Sequence, residues 1–214
     1  MLTVGIISLA FGVFFLVIYQ TKIKGSSSPE LKNAEKLKAL QASRLPQTVS
    51  EATLLDVRVG AVIHLEDVGL RSDSFDAEIT GRHLHKEGSE RWLELEADRG
   101  GRKVYLTVEQ DDELEISVAL EELSLRALGL SKTSFESATH FDFEGARFER
   151  EAQGRATYFR DHDELRPEPY AYCEYEDDGS GETVSIVRWD DGDIEVSRSV
   201  PLRESSVTIY SQSG

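Results

Sequence analysis

The chain repeats itself. Shifted by 80 positions, Trp92–Ser117 lies on Tyr172–Ser197 without a gap. Glu94/Glu174, Glu96/Glu176, Asp98/Asp178, Gly101/Gly181, Val104/Val184, Asp111/Asp191, Glu115/Glu195 and Ser117/Ser197 are identical, and Leu106/Ile186, Leu114/Ile194 and Ile116/Val196 stay apolar. Upstream, Phe75–Arg82 (FDAEITGR) matches Phe148–Arg155 (FEREAQGR) at a shift of 73. The second copy thus holds seven more residues between its two blocks. They fall around Asp161–Pro169, a polar stretch with two prolines that reads as a loop.

The repeated unit is made of strands. Trp92–Glu96 and Tyr172–Glu176 alternate polar residues with apolar or aromatic ones at period two. This places Glu94, Glu96, Glu174 and Glu176 on the solvated face of each sheet. Gly100-Gly101 and Gly179-Ser180-Gly181 are turn signals, Val104, Leu106 and Val108 alternate again, and Asp191-Gly192 is a tight-turn dipeptide. Each copy is expected to form a three- or four-stranded meander. Leu120, Leu123, Leu125 and Leu128 suit a short linking helix, or else an extended run. The predicted fold is mainly β: two pseudo-repeated antiparallel meanders, 51–130 with the linking segment and 131–214, paired as a sandwich or partly closed barrel.

Ahead of the repeats, Leu2–Tyr19 runs without a charged residue. At about 1.5 Å per residue it spans roughly 27 Å, close to the hydrocarbon thickness. No basic residue precedes it and no small-x-small site follows, which argues against a cleaved signal peptide. The expectation is a transmembrane helix over 1–20, touching the lipid bilayer through Leu2–Tyr19, with Tyr19 at the interface. Ser8 and Gly12 form a small-xxx-small pair of the kind that lets two such helices pack.

Charge orients the anchor. Of the chain's net charge of −16, residues 1–46 carry +4, from six basic and two acidic side chains, so the remainder carries −20. Lys22, Lys24, Lys32, Lys36, Lys38 and Arg44 follow the apolar run at once, which puts that side in the cytoplasm. The expected arrangement is a single-pass protein of the inner (cell) membrane with a cytoplasmic C-terminal domain. Residues 21–50 form the basic juxtamembrane segment, in which Ser28-Pro29-Glu30 starts a short helix. A domain at −20 repels phosphate backbones, which argues against nucleic acid and for a basic or membrane-associated protein partner. The single cysteine, Cys173, cannot form an internal disulfide and is expected to be a small packed side chain.

Several segments, in order, resemble a bacterial domain-of-unknown-function family, number 4178. They are Asp56–Gly60 (DVRVG), Arg91–Glu96 (RWLELE), Tyr105–Glu109 (YLTVE), Phe143–Gly145 (FEG), Gly154–Ala156 (GRA), Tyr172–Glu176, Ser185–Trp189 and Ile194–Ser197. The match spans about residues 52–210. Tyr105 stands where the pattern more often has Trp, and Ala61 where an acid is usual. The family has no established activity, so the resemblance implies no catalytic residues. It implies a context instead, since relatives accompany membrane-remodelling proteins of the phage-shock and ESCRT-III-like type and polyamine-synthase-like enzymes.

His83 and His85 share a strand face, as a metal site requires, but without a Cys partner or HExxH they read as an exposed strand end. Asp161-His162-Asp163-Glu164 sits in the inserted loop. The acidic runs Glu174–Asp178 and Asp190–Asp193 do not fit a calcium loop. Trp92 and Trp189 are expected in core or rim packing, with an aromatic-walled groove between the halves as the sharper alternative. No P-loop, GxGxxG, GxSxG or kinase signature is present. The reading assigns no catalytic, cofactor-binding or metal residue and no enzymatic activity. The expected function is that of a membrane-tethered cytoplasmic interaction module, with membrane maintenance or stress response as its setting. The alternative is a domain sensing a small ligand or cation, such as a polyamine or divalent metal.

Overall fold

A computed structural model describes residues 53–69, 72–110 and 113–211. The predicted anchor and the juxtamembrane segment lie outside the described residues. Among the described residues no helix is long and apolar enough to cross a membrane.

The strands are β1 (Val62–Val68), β2 (Asp73–Glu87), β3 (Glu90–Asp98), β4 (Lys103–Gln110), β5 (Leu114–Glu122), β6 (His140–Phe143), β7 (Ala146–Phe159), β8 (Pro167–Asp177), β9 (Glu182–Trp189), β10 (Ile194–Leu202) and β11 (Val207–Ser211). All pair antiparallel in one sheet ordered β11-β1-β2-β3-β4-β5-β10-β9-β8-β7-β6. A further pairing of β2 with β7 bends the sheet round into a partly closed ring. Two antiparallel runs, β1–β5 and β6–β10, are thus joined twice. At one end Ile116–Glu122 of β5 pairs with Ser197–Leu202 of β10. At the other, Leu84, His85 and Lys86 pair with Phe159, Tyr158 and Thr157. Under the 73-residue shift His85 falls on Tyr158, its own partner, so a pseudo-two-fold axis passes between these two residues.

Turn chemistry explains several shared segments. Glu144 and Gly145 both have positive φ, 50° and 86°, as a two-residue hairpin loop demands of the link between β6 and β7. Gly81 and Gly154, matched in the sequence repeat, have a different reason to be glycine. A Cβ on Gly81 would lie 2.8 Å from the His83 ring, and one on Gly154 would lie 2.7 Å from the Tyr172 hydroxyl. Neither neighbour is loose: His83 accepts a hydrogen bond from the Asp161 N–H, and the Tyr172 hydroxyl donates to Glu87.

Each run has its own apolar core on the outer face of the ring. In the first, Leu93, Leu95, Leu106 and Val108 pack against Ile63 and Leu65 of β1. In the second, Phe141, Phe148, Tyr175 and Ile186 are covered by Leu128 and Phe135 of the linking segment. Removing these surfaces from water stabilises the fold by about 25 cal/mol per Å². Of the two expectations for the leucine run, the linking helix does not form and the extended run does, as far as Glu122. β5 runs on to Glu122, and turns follow, closed by bonds such as Ala127 N–H to Ser124 O and Leu128 N–H to Leu125 O. Leu123 instead donates its N–H to Val196 O, so the leucines anchor a strand end and a loop. The loop predicted over Asp161–Pro169 is shorter. A 3-10 turn spans Arg160–His162, and β8 already begins at Pro167. Pro167 and Pro169 pair with β7, and β9 joins β8 only from Tyr170, so the prolines sit where β8 has one neighbour.

Gly81→Ala and Gly154→Ala should each cost about 1–3 kcal/mol of unfolding free energy, because the clashing rings are held. Gly179→Ala, whose Cβ would meet nothing closer than Asp177 at 3.5 Å, should stay within about 0.5 kcal/mol. Urea denaturation of the three variants checks the contrast.

Candidate functional site

The inner face of the ring collects the residues that carry chemistry. Strand register sets His83 and His85 of β2 opposite Glu94 and Trp92 of β3, and these opposite Thr107 and Glu109 of β4. Across the ring, Ala156 and Tyr158 of β7 stand by Tyr170 and Glu168 of β8, and Glu174 and Tyr172 by Ser185 and Val187 of β9.

Aromatic rings fill the β2/β7 joint. His85 stacks on Trp92 with centroids 5.4 Å apart and lies 5.0 Å from Tyr158. His85 Nδ1 and the Tyr170 hydroxyl share a hydrogen bond of 2.9 Å. Trp189 meets Tyr158 and Tyr170 edge-on. Burial lowers the His85 pKa well below its ordinary value, with His83 adding to the effect, so the imidazole is neutral. The loop after β7 closes over this layer. Asp161 and His162 adopt left-handed φ of 51° and 58°, and Asp161 N–H donates to His83 Nδ1 at 3.0 Å.

Next to the aromatic layer lie the carboxyls. Glu94 and Glu174, the equivalent residues of the two repeats, are both 0% exposed. Glu174 accepts from Ser185 Oγ at 3.2 Å, and its other oxygen has no hydrogen-bond partner among the described residues. Burial holds its pKa well above the usual carboxylate range; the Ser185 bond opposes this, and Glu109, from the other repeat, adds to it. The Glu195 carboxyl is pushed up to about 7, chiefly by burial, although Trp189 donates to it. Tyr105, 1% exposed, has a hydroxyl with no partner among the described residues, and burial and then Glu96 and Glu94 push its pKa up.

At the β5/β10 end the inner face opens into a cavity of about 240 Å³. Its polar wall is Thr107, Glu109, Glu115, Ser117 and Thr183. Glu109 and Glu115 are directly opposed cross-strand neighbours. A second hollow, over the outer side of β7–β9, is bordered by Arg155 and Arg188, the latter ion-paired with Glu136 at 2.6 Å.

Several sequence-based placements are corrected. Glu94 and Glu174 are not on a solvated face, because ring closure covers both faces of their strands; Glu96 and Glu176 are half-buried. His83 and His85 are buried rather than at an exposed strand end. Among the described residues no group of three or more His, Cys, Asp or Glu is placed to hold a metal ion. Trp92 is buried and Trp189 half-buried, and their rings pack against other aromatics instead of walling a groove. Cys173 is buried, and burial pushes its thiol pKa up. The cavity residues Thr107, Ser117 and Thr183 escaped sequence reasoning. Their only signal was the 92–117/172–197 repeat, in which Ser117 and Ser197 are identical.

A family profile described as "Domain of unknown function (DUF4178)" matches residues 70–204. No curated protein and no solved structure matches the chain.

The inner carboxyls make stability fall with alkali. Glu195 has a folded pKa of about 7, above its unfolded value, so its contribution is full below the unfolded pKa and lost as pH rises through 7. Glu195→Gln should remove on the order of 2 kcal/mol of the stability loss between about pH 5 and 8. Thermal melts of parent and variant across that range check the slope.

Proposed function

We propose that this chain, which belongs to the DUF4178 family, is a non-catalytic, membrane-tethered cytoplasmic module that meets a cationic partner. One observation carries the reading. Glu151 of β7 lies beside Glu176–Asp178 at the end of β8, a knot of like charge, and Glu149, opposite Glu176, is paired with Arg147 at 3.2 Å. Burial raises the Glu176 pKa, and Glu151, Asp178 and Asp177 raise it further. Opposite charge from a partner would relieve that repulsion. Exposed carboxylates also well outnumber exposed Lys and Arg among the described residues. Such a surface steers a basic partner toward encounter more than it adds contact energy.

The tether rests on the apolar run Leu2–Tyr19 and the +4 charge of residues 1–46. The basic stretch suits the cytoplasmic face of the bilayer, while the −20 remainder is repelled by anionic lipid. The module would then stand off the membrane within reach of partners on the same surface, in keeping with a role in membrane maintenance or stress response. A second reading, sensing of a small organic cation, is favoured by the cavity beside Glu109 and Glu115.

Captured from gently solubilised native membranes by the full-length chain, a basic partner should be held at low salt and released at about 0.5 M, where screening reaches only a few Å. Glu151→Gln/Asp178→Asn should weaken capture at low salt. Retention unchanged by salt and by the double variant would refute the reading.

A further inference from the structure

We propose that the hydrogen bond from the Asp161 N–H to His83 is a proton-operated latch. With a neutral imidazole it holds the loop after β7 shut over the aromatic layer, and with a protonated one it lets the loop open. The bond itself fixes the protonation state. A backbone N–H can only donate, so His83 Nδ1 presents its lone pair to Asp161 at 3.0 Å and the ring proton sits on Nε2. A second proton has one place to go, Nδ1. There it removes the acceptor and sets two donors face to face.

Another partner lies within reach. Asp161 Oδ1 is 3.6 Å from the same nitrogen, and the carboxylate is 68% exposed. A charged His83 exchanges the backbone N–H of Asp161 for this carboxylate, which requires the Asp161 peptide to turn. The backbone favours that turn. Asp161 and His162 stand at φ of 51° and 58°, in the left-handed region that strains any residue with a side chain. The bond to neutral His83 opposes the strain, and its loss releases it. A further tie to β2, the Glu164–Lys86 ion pair at 2.8 Å, has a largely exposed carboxylate and contributes little on its own.

The surroundings set the direction. His83 is buried, with Glu94 opposite it on β3. Glu96 Oε2 lies 4.0 Å from Nε2, and its other oxygen is held by Lys103 and Thr80. The Tyr158 ring of β7 packs at 5.3 Å, Arg160, Asp161 and His162 face His83 from the loop, and His85 does so from its own strand. Burial lowers the His83 pKa; Asp161 and Glu96 oppose this, and Arg160 and His162 add to it. In the open loop the imidazole is solvated and keeps nearer its ordinary value of about 6.5. The closed state is therefore favoured in full above that value and loses ground as pH falls below it.

The repeat marks the latch as an addition. Under the 73-residue shift His83 falls on Ala156, so the second copy has no imidazole there, and the first copy lacks the residues inserted after β7. One half of the latch belongs to each repeat.

The full-length chain in detergent, labelled with 15N-histidine, is titrated from about pH 8 to about pH 5. His83 is assigned by the loss of its signals in His83→Asn or their movement in Asp161→Asn. Hydrogen exchange over residues 160–166, corrected for the intrinsic effect of pH, is followed by mass spectrometry. The expected result is a ring protonated on Nε2 at the alkaline end. Loop protection should then fall by about tenfold or more with the same midpoint as His83 protonation, while β8 stays protected. In His83→Asn the amide oxygen replaces the acceptor and does not titrate, so the loop should stay protected into acid. If that variant does not fold, Asp161→Asn keeps the N–H and tolerates left-handed φ, but removes the counter-charge. Its midpoint should move to lower pH by roughly half a unit. A ring that carries its proton on Nδ1 or stays neutral throughout overturns the proposal, as does a loop that stays protected while His83 titrates. So do equal loss of protection in a folded His83→Asn, an unmoved midpoint in Asp161→Asn, and opening of the loop only together with β8.

Discussion

The structure depends on the short pairing of β2 with β7 at His85 and Tyr158. Without it the two runs would meet only through β5 and β10, and the inner face would lie open to water. With it, both faces of β3, β4, β8 and β9 are covered. The outer faces bury aliphatic side chains in two separate cores. The inner face buries aromatics, imidazoles and carboxyls in a layer to which both repeats contribute.

That closure sets the electrostatics. A carboxylate kept in water costs nothing, but the same group enclosed must lose its charge or find donors. Glu174 meets the demand with the Ser185 hydroxyl and a raised pKa, and Glu195 with the Trp189 indole. The His85 imidazole meets it by staying neutral against the Tyr170 hydroxyl. A chain at −20 beyond residue 46 can enclose Glu174, Glu195 and Glu182 because the first two are held toward the protonated form and have hydrogen-bond donors, and the third is paired with Arg198.

Much of the fold was legible in the sequence. The gapless match of Trp92–Ser117 with Tyr172–Ser197 located equivalent strands, and the turns at Gly100-Gly101, Gly179–Gly181 and Asp191-Gly192 fall between strands. Gly81 and Gly154 were visible as a match, and the rings lying over them give the reason. The inner layer was not legible. Period-two alternation tells which residues share a face, and it is read as inside against outside only by assuming that one face is wet. In a ring that assumption fails, so Glu94, Glu174, His83 and His85 were placed outside. The β2/β7 joint left no local trace, since His85 and Tyr158 are unlike residues brought together by topology. The candidate cavity was hidden for the same reason, its wall being drawn from four strands across both repeats.

The central claim is that ring closure buries Glu174 as an uncharged acid between the repeats. Its side-chain carboxyl 13C signal, assigned by its loss in Glu174→Gln and followed through a pH titration of the full-length protein, tests this directly. The signal should keep the protonated shift well above the pH at which the exposed glutamates, near about 4.3, lose theirs. A Glu174 signal that titrates together with the exposed glutamates would mean that the inner face is wet, and would contradict the account.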